Sequence, residues 1–459
     1  MTTEIKTDKQ ADTPPAPRKP GRFARLTGRL RRLHLPAWAA IVTAILLLLL
    51  LLVVVLLYLF NPDHVPWRHS LTLGRIVVVV LLAIAIPFVV YHGLRLWLEG
   101  ERSRFPDIDF AWRAGLEALE RSGLALDALP VYLVLGSAGE TFEQSLLAAS
   151  SVNFRVRGAP AGPAPLHWYA NPDQLFLVCG DIGWLSAVAA RRQAAGGVLA
   201  SDESAEQVQR LEHLCRLVRR GRHPLCGING LLTLFSFDVL AASQREQDEL
   251  QKALHTDLAI VRGELRLECP VTTLVVGMEQ ERGFRELVRR VGPDQAATQR
   301  FGNGFDLRAL PTREELSALC LHVCGTFEDW IYTLFREQDA LSRPGNRHLY
   351  GLLCKVRGDV KDRLAAALAG GYACDPRKSC DEPILYSGCY FAATGESEDR
   401  QAFVRGIFDK LDEEQEEIQW TPQALAGERR DRWLAALGFV ICAALVVTLG
   451  LMILRTILR

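Results

Sequence analysis

The stretch from Leu129 to Leu147, LPVYLVLGSAGETFEQSLL, joins an apolar run, a Gly-containing turn and the start of an amphipathic segment. It reads as a buried β-strand, a tight turn and a helix. In that layout main-chain N–H groups at a helix N-terminus can cradle phosphates while a Lys neutralises them. Setting Gly136 as the first Gly of GxxxxGK[ST] places Thr141 at the second Gly, Phe142 at the Lys and Glu143 at the Ser/Thr. A phosphate chain would then meet a ring and a carboxylate where it needs an ammonium group and a hydroxyl for Mg²⁺. The expectation is a nucleotide-binding architecture kept without nucleotide chemistry. The plainer reading of Gly136 and Gly139 is a tight strand-to-helix turn, and of Thr141 a helix N-cap, with Phe142 filling the space above Gly136.

Outward from this stretch, apolar strands alternate with long amphipathic segments. Ala111 to Leu126 reads as a helix leading into the strand Val131 to Leu135, and Arg155 to His167, RVRGAPAGPAPLH, is too rich in Gly and Pro for regular structure. Gln174 to Cys179 reads as a strand. Ser204 to Arg220 reads as a helix with a Ser204/Gln207 capping box, stopped by Gly221. Gly230 to Phe237 and Val271 to Val276 follow as strands, separated by a helix from about Ser243 to Arg262. Such alternation predicts an α/β fold with a mostly parallel sheet covered on both faces. Beyond Pro311 the pattern is mostly helical, Glu314 to Phe335 and His348 to Leu368, with one further strand at Gly388 to Ala393 and a helix at Gln401 to Leu411.

Three apolar runs flank this part. Ala37 to Phe60 holds 24 residues without a charge, beyond the roughly 20 needed to cross a bilayer. Ile76 to Leu98 and Trp433 to Leu454 are the others, giving three expected spans. Basic residues from Lys6 to Arg32 precede the first, whereas the loop Asn61 to Arg75 carries only Arg68 and Arg75. The positive-inside rule therefore places the N-terminus and the region between the second and third spans in the cytoplasm, with a short C-terminus on the far side of the membrane. The expected organisation is a disordered basic tail at 1–35 and a two-span hairpin at 36–98. An α/β domain at 99–310, a mostly helical extension with a final strand at 311–428 and a third span at 429–459 follow.

Lys plus Arg and Asp plus Glu are equal at 53 each, so no global charge points to nucleic acid. Eleven cysteines without paired CxxC spacing fit a reducing compartment and give no zinc pattern. No metal, resident cofactor or catalytic constellation is expected.

The order of two spans, RFPDIDFAWRAGLEAL, a strand and P-loop-like turn, HPLCGINGLLTLFSFDVLA, PVTTLVVGMEQERGF, YSGCYFAATGE and a third span resembles the N-terminal half of the IcmF/TssM family. That family comprises the large inner-membrane component of type VI secretion systems and relatives in type IVB systems. The resemblance covers roughly residues 35 to 455. It implies a GTPase-like cytoplasmic domain between the second and third spans, and partners among other inner-membrane and cytosolic secretion proteins, with the lipid bilayer and a homo-oligomer as further contacts. It also implies a large periplasmic continuation that this sequence, ending after the third span, does not include.

Against the GTPase pattern, Gly180-Asp181-Ile182-Gly183 has Gly180 where the Mg²⁺-directed Asp belongs, unless the alignment slips by one residue. The base-reading [NT]KxD motif falls on Val276-Gly277-Met278-Glu279, with Gly277 for the Lys and the longer Glu279 for the Asp. Asp181 as a turn or cap residue is the plainer reading. Two functions remain: a non-catalytic membrane scaffold built on a pseudo-GTPase domain, or a divergent GTPase or ATPase using Thr141, Asp181 and Glu279 in shifted roles. A channel is disfavoured because the spans lack an ionisable residue near midplane.

Overall fold

The computed structural model describes residues 103–194, 197–240, 243–374 and 384–427, with 429, 430, 433 and 436, and in the N-terminal part 42–49, 52, 53, 86–88 and 90. Contacts divide the chain into two units, Met1–Arg102 with Ala436–Arg459, and Ser103–Ala435. In the first, residues 42–49 are helical, and Ile45, Leu46, Leu48 and Leu49 are exposed. Among the described residues no helix is long and apolar enough to cross a membrane. The basic tail and almost all of the three expected spans lie outside the described residues.

The second unit opens with α1 (Pro106–Arg121), which has Pro at its first helical position and Asp107 and Asp109 in its first turn. Both features suit a helix N-terminus. The strand β1 (Val131–Leu135) is buried at every position, and α2 (Glu140–Ala149) follows the turn. The Gly/Pro-rich stretch expected to be irregular instead supplies strand at each end, β2 (Val156–Ala159) and β3 (Leu166–Ala170), before β4 (Leu175–Cys179). Its prolines are confined to the connection between them, where no ladder donor is needed.

Next come α3 (Trp184–Gln193), α4 (Ser201–Arg222), β5 (Gly230–Ser236), α5 (Gln244–Leu265), β6 (Leu267–Glu268) and β7 (Val271–Val276). The helix α4 begins three residues before the expected capping box, with the Glu203 carboxylate accepting the Ala200 N–H at 3.1 Å. Nor does Gly221 end it. A Cβ there would come within 2.9 Å of the Trp112 ring, so this glycine serves close packing against α1.

The chain continues with α6 (Arg282–Val291), β8 (Gly302–Gly304), α7 (Arg313–Phe335), α8 (Asn346–Lys355), α9 (Lys361–Tyr372) and β9 (Tyr386–Phe391). A small hairpin of β10 (Ala393–Thr394) and β11 (Gln401–Ala402), then α10 (Arg405–Glu413) and β12 (Gln419–Trp420), complete it.

One eight-stranded sheet runs in the order β2-β3-β4-β1-β5-β7-β9-β8. The strands β4, β1, β5, β7 and β9 are mutually parallel, while β2, β3 and β8 are antiparallel additions at the edges. The α/β expectation of a mostly parallel sheet therefore holds. The strand β9, expected at Gly388 to Ala393 as the final strand of the helical extension, pairs directly with β7.

Alternation along β1 divides the core. Val131, Leu133 and Leu135 join the larger apolar cluster with residues of α1, α4, α5, α7 and α9, whereas Tyr132 and Val134 join a smaller one with α2 and α10. The Tyr132 hydroxyl donates to the Leu411 carbonyl at 3.1 Å, fixing α10 to that face. Asn229 anchors the start of β1 by exchanging bonds with the Val131 main chain at 2.6 and 3.0 Å. Cys179, Cys215, Cys269, Cys320, Cys324 and Cys389 are buried free thiols, as a small apolar side chain would be. Cys374 departs from the all-thiol expectation and is disulfide-bonded.

Packing of α1 on β3 is close enough to demand a glycine. A Cβ on Gly115 would sit 2.2 Å from the fully buried Trp168 ring, which also meets Trp112 edge-on at 4.8 Å. Gly115→Val should therefore destabilise the protein by ~1–3 kcal/mol through overpacking. Equilibrium urea denaturation checks this; an unchanged midpoint would show that the interface yields without strain.

Candidate functional site

Because five strands run parallel, the turns after β1, β4, β7 and β9 emerge at one edge of the sheet. In open α/β sheets ligands settle at that carboxyl edge, where strand order reverses about the first strand. The sequence-derived positions Gly136, Gly139, Thr141, Phe142, Asp181, Gly183 and Glu279 all belong to these turns or to the helices they start.

The turn after β1 is built for a tight reversal. Gly136 has φ 90° and Gly139 φ 127°, both in the region that favours glycine. A Cβ on Gly136 would lie 2.4 Å from the Leu234 carbonyl oxygen, so the turn also presses on β5. Its amides are put to internal use. The Gly136 N–H donates to Ser186 Oγ at 3.0 Å, and Ser186 in turn donates to the Cys179 carbonyl at 2.9 Å. The Gly139 N–H donates to Ser137 Oγ at 3.3 Å.

Gly139, not Thr141, is the N-cap of α2; Thr141 lies in the first turn and its carbonyl accepts from Ser145 Oγ at 3.0 Å. Phe142 is half-buried against the smaller apolar cluster and lines an outer cleft with Thr141, Glu279 and Thr394. The group buried beside the turn is Glu143, with no exposed surface.

Glu143 stands at the position where the nucleotide-binding pattern carries its Mg²⁺-binding hydroxyl. Its Oε1 accepts from Ser137 Oγ at 2.8 Å, and its Oε2 lies 2.6 Å from Nδ1 of His167 on β3. His167 is also buried, and its Nε2 lies 2.9 Å from the Gly162 carbonyl. A carbonyl only accepts, so Nε2 carries a proton; a proton on Nδ1 as well makes an imidazolium facing a carboxylate. Burial pulls this ring toward neutrality, but the hydrogen bond and charge of Glu143, with smaller help from Gly162 and Glu140, raise its pKa above the ordinary value. Gly180 completes the enclosure, since a Cβ there would lie 2.9 Å from Glu143 Oε1.

The turn after β4 is likewise closed by protein groups. Asp181 is exposed and faces α4: it accepts from Gln207 Nε2 at 3.1 Å and lies 3.4 Å from the Arg210 guanidinium. Arg210 also donates to the Asp181 carbonyl at 2.9 Å and to Asp107 at 2.6 Å. Asp181 is a turn residue tied to α4. Gly183, φ 90°, precedes α3, and a Cβ on it would lie 3.0 Å from Asp257 Oδ2. Asp257 projects from α5 and accepts the Trp184 N–H at 3.0 Å and the Leu185 N–H at 2.8 Å. The open amides at the start of α3 are thereby satisfied from another helix.

Glu279 follows β7 in a short turn, and its Oε2 accepts the Thr394 N–H of β10 at 2.9 Å. The carboxylate aligned with a guanine-reading Asp is thus engaged with the main chain of a neighbouring turn. The structure brings Thr141, Phe142 and Glu279 to one cleft and sets Asp181 apart on the α4 side. Sequence reasoning passed over His167, Asp257 and Ser137. A buried-strand register with a lone His opposite an acidic P-loop position was the available signal for His167; for Asp257, inside an ordinary helix, there was none. Among the described residues no cluster of His, Cys, Asp and Glu is placed to hold a metal ion.

Asp257 gives a measurable pH dependence. Burial pushes its carboxyl up to about 7 against the opposing effect of the Leu185 and Trp184 N–H groups. Between about pH 4 and this value the folded chain holds a proton that an unfolded Asp has released, so stability falls as pH rises through that window. Chemical denaturation at a series of pH values should show this slope in the wild type and its loss in Asp257→Asn; an identical slope in both would assign it elsewhere.

Comparison with known proteins bears on this site through one finding. Residues 204–422 match the model of the IcmF-related N-terminal domain. No curated protein and no solved structure matches the chain. The matched range runs from α4 through β12 and takes in Asp257 and Glu279, while the turns after β1 and β4, with Glu143 and His167, precede it. Over residues 204–422 the chain is similar to the IcmF-related N-terminal domain.

Proposed function

We propose that the protein is a non-catalytic scaffold of a type VI secretion-like assembly in a bacterial inner membrane, its α/β unit acting as a pseudo-GTPase platform for partner proteins. The family match supports the secretion context. Supporting the pseudo-GTPase reading is the internal use of the donors around the phosphate turn. Ser186 and Ser137 take the Gly136 and Gly139 amides, Asp257 takes those opening α3, and Glu143 is enclosed by Ser137 and His167.

Magnitudes favour this reading. A charge-assisted hydrogen bond contributes about 1.5–3 kcal/mol, so replacing the phosphate-binding Lys with Phe142 forfeits that much before any repulsion is counted. Opening the Glu143–His167 pair to admit phosphate would leave a buried charge uncompensated, at about 3–5 kcal/mol. A nucleotide has to overcome both.

The membrane part of the proposal rests on the uncharged run Ala37–Phe60, the runs Ile76–Leu98 and Trp433–Leu454, and the exposed apolar residues of helical 42–49. In this reading the N-terminus and the α/β unit are cytoplasmic, partners are membrane and cytosolic secretion proteins, and the chain can self-associate through its spans. A divergent GTPase or ATPase would need Thr141, Asp181 and Glu279 around one nucleotide; Asp181 and Glu279 are instead committed to α4 and to β10.

Titration calorimetry of the detergent-solubilised chain with Mg²⁺-GTP and Mg²⁺-ATP is expected to give no binding stronger than about 1 mM, a standard free energy of about −4 kcal/mol. Micromolar binding of either would end the pseudo-GTPase reading. The anchoring is tested separately: expressed in a Gram-negative host, the chain should stay in the membrane pellet after an alkaline carbonate wash, and release into the supernatant would remove the spans.

A further inference from the structure

The connection between β2 and β3, residues 160–165, has few means of holding itself. Pro160, Pro163 and Pro165 have no N–H to donate, and Ala161 and Pro163 are exposed. Its far end is pinned by the Pro165 carbonyl, which accepts from the Gly180 and Asp181 amides at 3.0 and 3.2 Å. Its middle is tied by the Gly162 carbonyl to His167 Nε2.

We infer that Glu143 and His167 form a proton-operated latch: with both ring nitrogens protonated the imidazolium bridges α2 to Gly162, and when it loses one proton the Gly162 tie is the one released. This device is independent of whether any nucleotide binds. A neutral imidazole keeps a single N–H, so it can serve Glu143 or Gly162 but not both; at the other contact a lone pair faces a lone pair. Charge-assisted bonds are roughly twice as strong as neutral ones, and Glu143 has no exposed surface through which water could replace the ring. The remaining proton therefore stays on Nδ1, against the carboxylate, and the Gly162 carbonyl is left without its donor.

The charged groups around the ring favour the closed state. From α2, Glu143 and Glu140 both favour the imidazolium, while burial opposes it and is outweighed. On β3 itself Tyr169 is held in its neutral form by burial and by the same two carboxylates. On β4 the buried Cys179 thiol stays protonated, raised by burial with smaller contributions from Cys215, Glu143 and Asp257. With the folded-state pKa of His167 above its ordinary value, the bridged form is complete at mildly acidic pH and is lost as pH rises through that value.

Hydrogen exchange of the full chain in detergent, read by mass spectrometry over residues 160–166 and corrected for intrinsic exchange, tests this. From about pH 6 to about pH 9 protection of the connection should fall by about tenfold, while β4 changes less than about twofold. Glu143→Gln should stay protected at both pH values: its amide can donate to Nδ1 of a neutral ring whose Nε2–H still serves Gly162, and its oxygen still accepts from Ser137. Wild-type protection that does not change with pH overturns the latch, with no variant needed. So does a Glu143→Gln protein that loosens like the wild type or is loose at both values.

Discussion

A carboxylate with no exposed surface persists only where the strong donors around it are turned inward, and Glu143 sets that condition for the carboxyl edge of this sheet. Its two oxygens claim Ser137 of the turn after β1 and His167 of β3. The geometry of both elements then follows. Ser137 must face inward, which leaves its Oγ to receive the Gly139 N–H and close the turn. His167 must present Nδ1 to α2, which directs Nε2 to Gly162. The residue at 180 must lack a Cβ, because one would press on Glu143 Oε1 at 2.9 Å. Truncating either member of such a pair leaves its partner buried without it, which is strongly destabilising.

Around this cluster the same arrangement recurs on independent elements. Asp257 reaches from α5 to the first amides of α3, and Glu279 reaches from the turn after β7 to the Thr394 amide. Each carboxylate meets main-chain N–H groups at an edge where α/β proteins hold anions. At this edge the groups that accept those amides are carboxyl groups of the chain itself. Replacement by tethered groups is economical in entropy, since a side chain fixed by its own helix binds intramolecularly and gives up no translational freedom.

Much of the fold was legible because long apolar strands and amphipathic helices leave strong periodic signals. Val131–Leu135 and Val271–Val276 fall at their predicted bounds, and α5 and α7 begin within a residue of theirs. Shorter elements were not legible. The strands β2 and β3 flank a run of Gly and Pro that reads as loop, yet the apolar Leu166–Ala170 is completed by pairing with β4, a contact set by the sheet and not by its own propensity. Similarly, Gly221 carries the sequence signal of a helix stop, but the helix passes through it because Trp112 requires the space. At the candidate site the missing phosphate Lys was visible in the letters. The groups around the turns were not, because His167 reaches Glu143 and Asp257 reaches the first amides of α3 only once distant segments are folded together.

Phosphate-dependent switches work because loops at this edge are ordered by contacts that exist only while the γ-phosphate is bound. A ligand can shift such an equilibrium only by its differential affinity for the two states. Here the contacts that would discriminate the states at α3 and at the turn after β1 are supplied by Asp257, Ser186 and Ser137, which cannot dissociate. The start of α3 is therefore held by a side chain of α5. What remains adjustable is the β2–β3 connection, because its middle contact depends on a ring that must carry a second proton to serve both neighbours. The closed turn after β1 and the proton-dependent β2–β3 connection thus meet at one side chain, the buried carboxylate of Glu143.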